Sequence, residues 1–357
     1  MATTDNRQLI SKLTFYPSEP LFAYATGYLY HYEGWGTFDE DISIETMNSL
    51  ISLNPSKRHL IVPREDGTSF LRWWTRPRGG QLDYSDDTPS VQDVSEDFFM
   101  VLGHNFNETQ THITYTATGA YNVVNDCLND PPQFDGWSYM ENNGNGSAAQ
   151  KVNFKAGNPC EVGTFVWGKK WEAPQNVDIG QSYQVKFGNK LQTTVGGKKI
   201  STLNYSGPNM WGDLHAWELL KHENKEQSMW SQPEFWREKQ YDPPRMGLRT
   251  WKVKFSQVLT SELMPQNAMI NTYGWNQDDS TNYDIDGNGN STTGISTSTD
   301  FYSNVYRRCL GNHLPIVIRI SESNNNDQFA IVRISNYSVT EANPKLLNIS
   351  LTLEEQV

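Results

Sequence analysis

The apolar positions of this chain recur at short range. Runs of a few hydrophobic residues alternate with polar stretches, and most follow a period of two rather than of three to four. The clearest case is residues 314–355, where three apolar runs (314–320, 329–334 and 346–353) are separated by polar loops. In the last run Leu347, Ile349, Leu351 and Leu353 alternate with Asn348, Ser350 and Thr352. That is the pattern of a strand with one dry and one wet face, which docks into a sheet. Arg319, Arg333, Ser335 and Tyr337 interrupt the apolar residues of the earlier runs.

The same pattern predicts strands over residues 58–63, 70–75, 112–117, 183–187 and 247–256. Residues 98–102 are apolar at every position and end at Gly103, as expected of a buried strand, and residues 163–168 read as a closing strand of the same sheet system. Residues 195–200 read as a turn or bulge feeding a strand. Helical spacing is rare. It predicts a short helix over 41–51 with Ile44, Met47, Leu50 and Ile51 turned inward, a weak one over 213–223, and one over 300–310 with Asp300 as N-cap. Residues 125–150, 224–246 and 272–299 are rich in turn-forming and polar residues and read as long loops. The expected class is mainly β, with sandwich or barrel domains, few short helices and long loops. The expected division is an N-terminal region (1–95), a β-sandwich (96–172) and a C-terminal β domain (173–357) carrying the loops 224–246 and 272–299.

Composition sharpens this picture. Only 20% of the 357 residues are charged and 36% are hydrophobic, so Asn, Gln, Ser, Thr and Gly supply much of the polarity. The 12 Trp and 17 Tyr exclude a disordered chain. The net charge of −12 argues against nucleic acid as a partner, because phosphate needs a basic surface. The short basic clusters Lys169-Lys170, Lys198-Lys199 and Arg307-Arg308 read as solvated loop or strand ends. The three cysteines (Cys127, Cys160, Cys309) form no CxxC pair, so a structural zinc site is not expected and reduced, buried thiols are. No apolar run of leader or membrane-spanning length occurs, so no membrane span is expected, and synthesis in a cytoplasm is.

Candidate chemistry is sparse. Asp284, Asp286 and Asn288 place oxygens at alternate positions with Gly289 at the sixth, like the start of a calcium-binding loop, but the twelfth position is Ile295 rather than Glu. Calcium on these three residues is the one cofactor the sequence suggests, and a solvated polar loop is the simpler reading. His104 follows a turn-forming glycine without any companion catalytic motif, and reads as a structural histidine. The aromatic residues between 211 and 251 could stack sugars, or form a core or an interface.

Several segments, taken in order, resemble a group of virion structural proteins of tailed phages from aquatic bacteria. They are VLGHN at 101–105, residues 163–168, Gly196-Gly197, and Trp211-Gly212-Asp213 with Trp217. Gly247, Arg249, Trp251, Phe255 and Ser256 follow, then GNHLP at 311–315, NNNDQFAI at 324–331 and residues 348–354. Asn312 and Ile316 depart from that pattern, and residues 1–95 lie outside it. The resemblance implies a galactose-binding-like jelly roll plus a tail-type β domain. It implies a non-catalytic tail or baseplate component, distal-tail or hub-like, assembled as a symmetric ring in the virion and made in the host cytoplasm. Its partners would be copies of itself and neighbouring tail or baseplate proteins, with loop 272–299 and the C-terminal strand as contact elements. The alternative is a carbohydrate-binding virion module for adsorption to a host surface glycan.

Overall fold

The computed structural model describes residues 12–26, 29–35, 43–55, 57–62, 70–75, 98–104, 113–118, 123–125, 137–141, 149–154, 160–178, 182–186, 189–193, 195–203, 248–265, 300–321 and 328–356. Strand β1 (Thr14–Tyr16) leads into helix α1 (Glu19–Thr26). β2 (Leu29–Trp35), α2 (Ile44–Ser49), β3 (His59–Ile61) and β4 (Phe70–Thr75) follow. Next come β5 (Phe98–Leu102), β6 (Ile113–Thr118), β7 (Val123–Asn125), β8 (Trp137–Glu141) and β9 (Ala149–Phe154). Then β10 (Cys160–Val162), β11 (Thr164–Gly168), β12 (Trp171–Glu172), β13 (Ser182–Lys186), β14 (Asn189–Thr193) and β15 (Lys199–Leu203) are closely spaced. β16 (Leu248–Leu259) runs into the one-turn helix α3 (Thr260–Leu263). A π-helical turn (Tyr302–Tyr306) precedes β17 (Ile316–Ser321), β18 (Gln328–Asn343) and β19 (Leu346–Glu355). The class is mainly β, as the sequence pattern predicts, and every described strand pair is antiparallel. No described helix is long and apolar enough to cross a membrane.

The largest sheet has seven strands in the order β12-β1-β17-β18-β19-β16-β13. Its two halves differ in how they are buried, and the sequence pattern follows that difference. In β1, β17 and β18, neighbouring residues enter two different cores. Phe15, Ile316, Ile318, Ala330, Val332 and Ile334 face one, while Tyr16, Val317 and Ile331 face the other. A strand buried on both faces must be apolar at successive positions, hence the run Ile316-Val317-Ile318 that opens β17. β16 and β19 contribute Trp251, Val253, Phe255, Ile349, Leu351 and Leu353 to the first core only, so they alternate. Their other faces carry the exposed Lys252 and Lys254 and the half-buried Asn348, Ser350 and Thr352.

The first core is closed by Phe301, Val305 and Cys309 from the turn before β17, and by Leu263 of α3. The second joins Tyr16, Val317 and Ile331 to Phe98, Met100 and Leu102 of β5, Val166 of β11, and Leu21 and Phe22 of α1. β5 is the middle strand of a three-stranded sheet, β11-β5-β8. A five-stranded sheet, β2-β4-β9-β6-β7, and the pairs β10-β3 and β14-β15 complete the described strands.

These ladders cross the divisions expected at residues 95 and 172. β1 pairs with β17, β4 with β9, and β3 with β10. The stretch 125–150, expected as a loop, contains β8, which pairs along the whole of β5. Its alternation is too short to stand out among Asn, Gly and Pro. β18 also runs well beyond the apolar run that predicts it. Residues 335–343 are mostly polar and exposed, with Tyr337 and Val339 half-buried against the first core, yet the whole stretch pairs with β19 because that neighbour supplies the ladder. A two-residue turn joins the strands, with the Asn343 side chain accepting a hydrogen bond from the Lys345 amide at 3.1 Å.

Two predicted helices form with changes. In α2, Ser43 caps the helix by accepting from the Thr46 amide, and Met47, Leu50 and Ile51 are buried. Ile44, expected inward, is 62% exposed, because it lies in the first turn on the side away from the core. Asp300 does cap its turn, accepting from the Ser303 amide at 2.9 Å. The turn then winds as a π-helix rather than an α-helix, which leaves Phe301, Val305 and Cys309 buried in the first core. The segments 213–223, 224–246 and 272–299 lie outside the described residues.

The chain after α2 crosses the ends of β5 and β11 at very close range. The Phe165 amide and the Thr164 hydroxyl both donate to the Leu50 carbonyl, at 2.7 and 2.9 Å. A Cβ on Gly103 or Gly163 would lie 2.2 or 2.3 Å from the Pro55 carbonyl oxygen, and Gly103 also has a φ of +69°. Gly163→Ala should therefore lower unfolding free energy by about 1–3 kcal/mol, as overpacking against backbone does. Gly196→Ala, where a Cβ meets nothing within 4 Å, should stay within about 0.5 kcal/mol. Urea denaturation of the two variants beside the parent checks both.

Candidate functional site

The sequence-predicted chemistry falls in three places. Asp284, Asp286 and Asn288 lie outside the described residues, and so does most of the aromatic stretch 211–251. Among the described residues no group of three His, Cys, Asp or Glu side chains is placed to hold a metal ion. His104 is buried one residue beyond Gly103, with its Nε2 2.8 Å from the Ser138 hydroxyl of β8. That bond ties the end of β5 to its neighbour, as a structural histidine would. Cys309 is a free, fully buried thiol, and burial pushes its pKa up to about 12, which leaves no nucleophilic thiolate at neutral pH. Trp251, the best described candidate for stacking a sugar, is fully buried.

The residues that organise the sheet were only partly visible in the sequence. The dry face of β19 continues one step past Leu353 and buries Glu355. A lone carboxylate there would be costly, and Arg249 on β16 meets it. Its Nε donates to Glu355 Oε2 at 2.8 Å, its Nη2 donates to Oε1, and its own backbone amide donates to Oε2 at 2.9 Å. The guanidinium also lies 5.0 Å from the Trp251 ring centre, and Tyr183 of β13 packs 5.9 Å from the same ring. The signal for Glu355 was the period-two pattern carried to 355. The signal for Arg249 was absent, because only the β16–β19 pairing brings it alongside.

A second ion pair was also unexpected. Arg308, read from the sequence as a solvated loop end, is buried, pairs with Glu19 of α1 and lies 4.8 Å from the Phe22 ring centre. It joins the turn before β17 to the N-terminal helix. Lys198, by contrast, is exposed as expected.

An aromatic pile covers the end of the first core. Tyr306 and Tyr337 stack at 4.3 Å, Phe301 stacks on Tyr337 at 5.8 Å, and Phe15 and Trp171 pack edge-on to Phe301 at 5.5 and 5.0 Å. The Tyr337 hydroxyl is buried without a hydrogen-bond partner, and burial holds its pKa well above the usual tyrosine value. Sequence reading took Tyr337 as an interruption of the strand, whereas its ring continues the apolar face.

The C-terminal strand, expected as a contact element, has neighbours on both sides, β18 and β16. Its backbone is not an open edge, and any contact it makes must use its polar face. That face carries Asn348, Ser350, Thr352 and Glu354. Beside it lie Lys252 and Lys254 on one side and Arg333, Asn336 and Ser338 on the other. Among the described residues the sheet ends at β12 and at β13, and on β13 Ser182 and Gln184 are exposed. No protein-family model, curated protein or solved structure matches this chain.

Two outcomes follow from the buried groups. Arg249→Met should cost about 3–5 kcal/mol, since it strands Glu355 in the core, and adding Glu355→Leu should recover much of the loss. Denaturant titration of both variants tests this. Tyr337 has a folded-state pKa raised above the ordinary 10.0. At pH above about 10 the unfolded chain releases that proton before the folded one does, so stability should fall as pH rises past 10. Tyr337→Phe should flatten that decline and leave stability near neutral pH unchanged or higher. Thermal melts across pH 8–11 read the difference.

Proposed function

We propose that this chain is a non-catalytic structural component of a tailed-phage tail or baseplate, built into a symmetric ring of copies. The observation that supports this reading most is how the segments carrying the phage-protein resemblance associate. Of these segments, residues 101–102 and 164–168 lie in the paired strands β5 and β11, and residues 248–256 and 348–354 lie in the paired strands β16 and β19. The turn at 311–315 leads directly into β17 of the same sheet. Segments distant in sequence thus pair within two sheets that share the second core, through Val317 and Ile331 on one side and Met100, Leu102 and Val166 on the other. A shared framework is what related scaffold proteins retain, while loops vary.

The described polar side chains are also used structurally. His104, Arg249, Glu355 and Arg308 each hold one element to another, and Asp300 caps its own turn. An edge strand that ends the sheet with exposed Ser182 and Gln184 suits a part completed by a neighbour.

Negative-stain electron microscopy and light scattering of the purified protein test the reading. Closed rings of one symmetry are expected. A protein that stays monomeric and binds glycans on an array would instead be the adsorption module.

A further inference from the structure

The polar face of β16, β19 and β18 is ordered in rows. Antiparallel pairing sets Ser182, Lys252, Thr352 and Asn336 opposite one another across β13, β16, β19 and β18. Two residues further along, Lys254, Ser350 and Ser338 form a second row. Opposed residues of such ladders have Cβ atoms about 4.5–5.5 Å apart, so each row is one continuous strip. Lys252, Lys254, Asn336 and Ser338 are exposed, and Ser350 and Thr352 are half-buried between them. Trp251, Val253, Ile349, Leu351 and Leu353 fill the first core behind the same strands, which gives the rows a rigid backing.

These side chains have no task inside the fold. Among the described residues no hydrogen bond or ion pair engages the side chain of Lys252, Lys254, Asn336, Ser338, Ser350 or Thr352, and the Ser335 hydroxyl donates to the Thr352 backbone carbonyl instead, at 3.4 Å. Charges elsewhere in the sheet are matched: Arg249 pairs with Glu355, and Lys12 and Lys170 pair with Glu172. On this face Lys252, Lys254 and Arg333 stand against the single carboxylate of Glu354, in a chain whose net charge is −12.

The rows select a ligand by their chemistry. Each sets an ammonium beside a hydroxyl and then beside an amide or a second hydroxyl, and the pattern repeats about 7 Å further along the strands. A polymer with spaced anionic groups and hydroxyls between them matches that repeat. The ammonium groups take the anions, and Ser, Thr and Asn exchange hydrogen bonds with the hydroxyls. The rows carry no aromatic ring, so bases have no stacking platform on them. A duplex also carries a charge about every 1.7 Å, too dense for two lysines near Glu354 on an acidic chain.

We infer that this face binds an acidic polysaccharide. Carboxylates of the sugar chain meet Lys252 and Lys254, while Thr352, Asn336, Ser350 and Ser338 hold its hydroxyls. The face belongs to a single chain, so binding needs no ring of copies.

The test is isothermal titration calorimetry of the full chain with an oligogalacturonate, beside a neutral dextran oligomer of similar length and oligo-dT. The oligogalacturonate should bind, and the other two should bind at least about tenfold more weakly. Exposed ion pairs are individually weak, so Lys252→Gln/Lys254→Gln should lower affinity about tenfold rather than abolish binding. Thr352→Val should weaken binding while keeping the preference for the acidic oligomer. Lys57→Gln, at an exposed lysine before β3, should bind as the parent does. Circular dichroism and melting temperature of the lysine variants should match the parent, because those side chains are exposed. An oligogalacturonate that fails to bind, or that binds the Lys252→Gln/Lys254→Gln variant as tightly as the parent, overturns the site. Oligo-dT binding as tightly as the oligogalacturonate overturns it too, by making the face a general polyanion surface. Each of these results leaves the ring of copies to its own test.

Discussion

Two-sided burial of β1, β17 and β18 is the constraint on which the described structure depends. Each of these strands sends neighbouring side chains into two cores, in β18 over residues 330–332, so there neither face can be left to solvent. One core needs the turn 300–309 and α3 as its cover, and the other needs β5, β11 and α1. The N-terminal strand, the middle of the chain and the C-terminal strands are therefore held in one arrangement. Removing any one cover would expose a sheet face made of Ile, Val and Phe. The loss of burial, at about 25 cal/mol for each Å² of apolar surface, would fall on several strands together.

Charged residues enter this arrangement only where geometry answers them. Glu355 continues the dry face of β19 and is tolerated because Arg249 meets it with two side-chain donors and a backbone amide. Arg308 is tolerated beside Phe22 because Glu19 is within reach. Such pairs add little net stability compared with apolar substitutes, but they tolerate few alternative registers. A slip of β19 against β16 by one residue would part Glu355 from the Arg249 amide and turn the dry face outward. The bulge at Gln257, where φ is +60° and Asn348 accepts from the Gln257 amide at 2.9 Å, fixes the same register from the other end of the pair.

The open surface is of another kind. On β13 Ser182 and Gln184 are exposed while Tyr183 packs on Trp251, and in the β14–β15 hairpin Thr193 and residues 195–199 are exposed. Among the described residues, ion pairs and aromatic stacks close the interior, whereas residues 195–199 at the hairpin tip are exposed.

The sequence by itself determined the local events. Period-two alternation located β16 and β19, apolar runs located β5 and β17, and Asp300 marked the start of its turn. These depend on neighbours a few residues away, so the local pattern contains them. Only the tertiary structure decided which strands lie side by side, and with that the polar half of β18, the existence of β8, the burial of Arg308, and the pairing of Arg249 with Glu355. Each of those depends on a neighbour distant in sequence, because a polar segment becomes a strand when a paired edge supplies its hydrogen bonds. A charge, likewise, can stay in a core only when the fold brings its partner within about 3 Å.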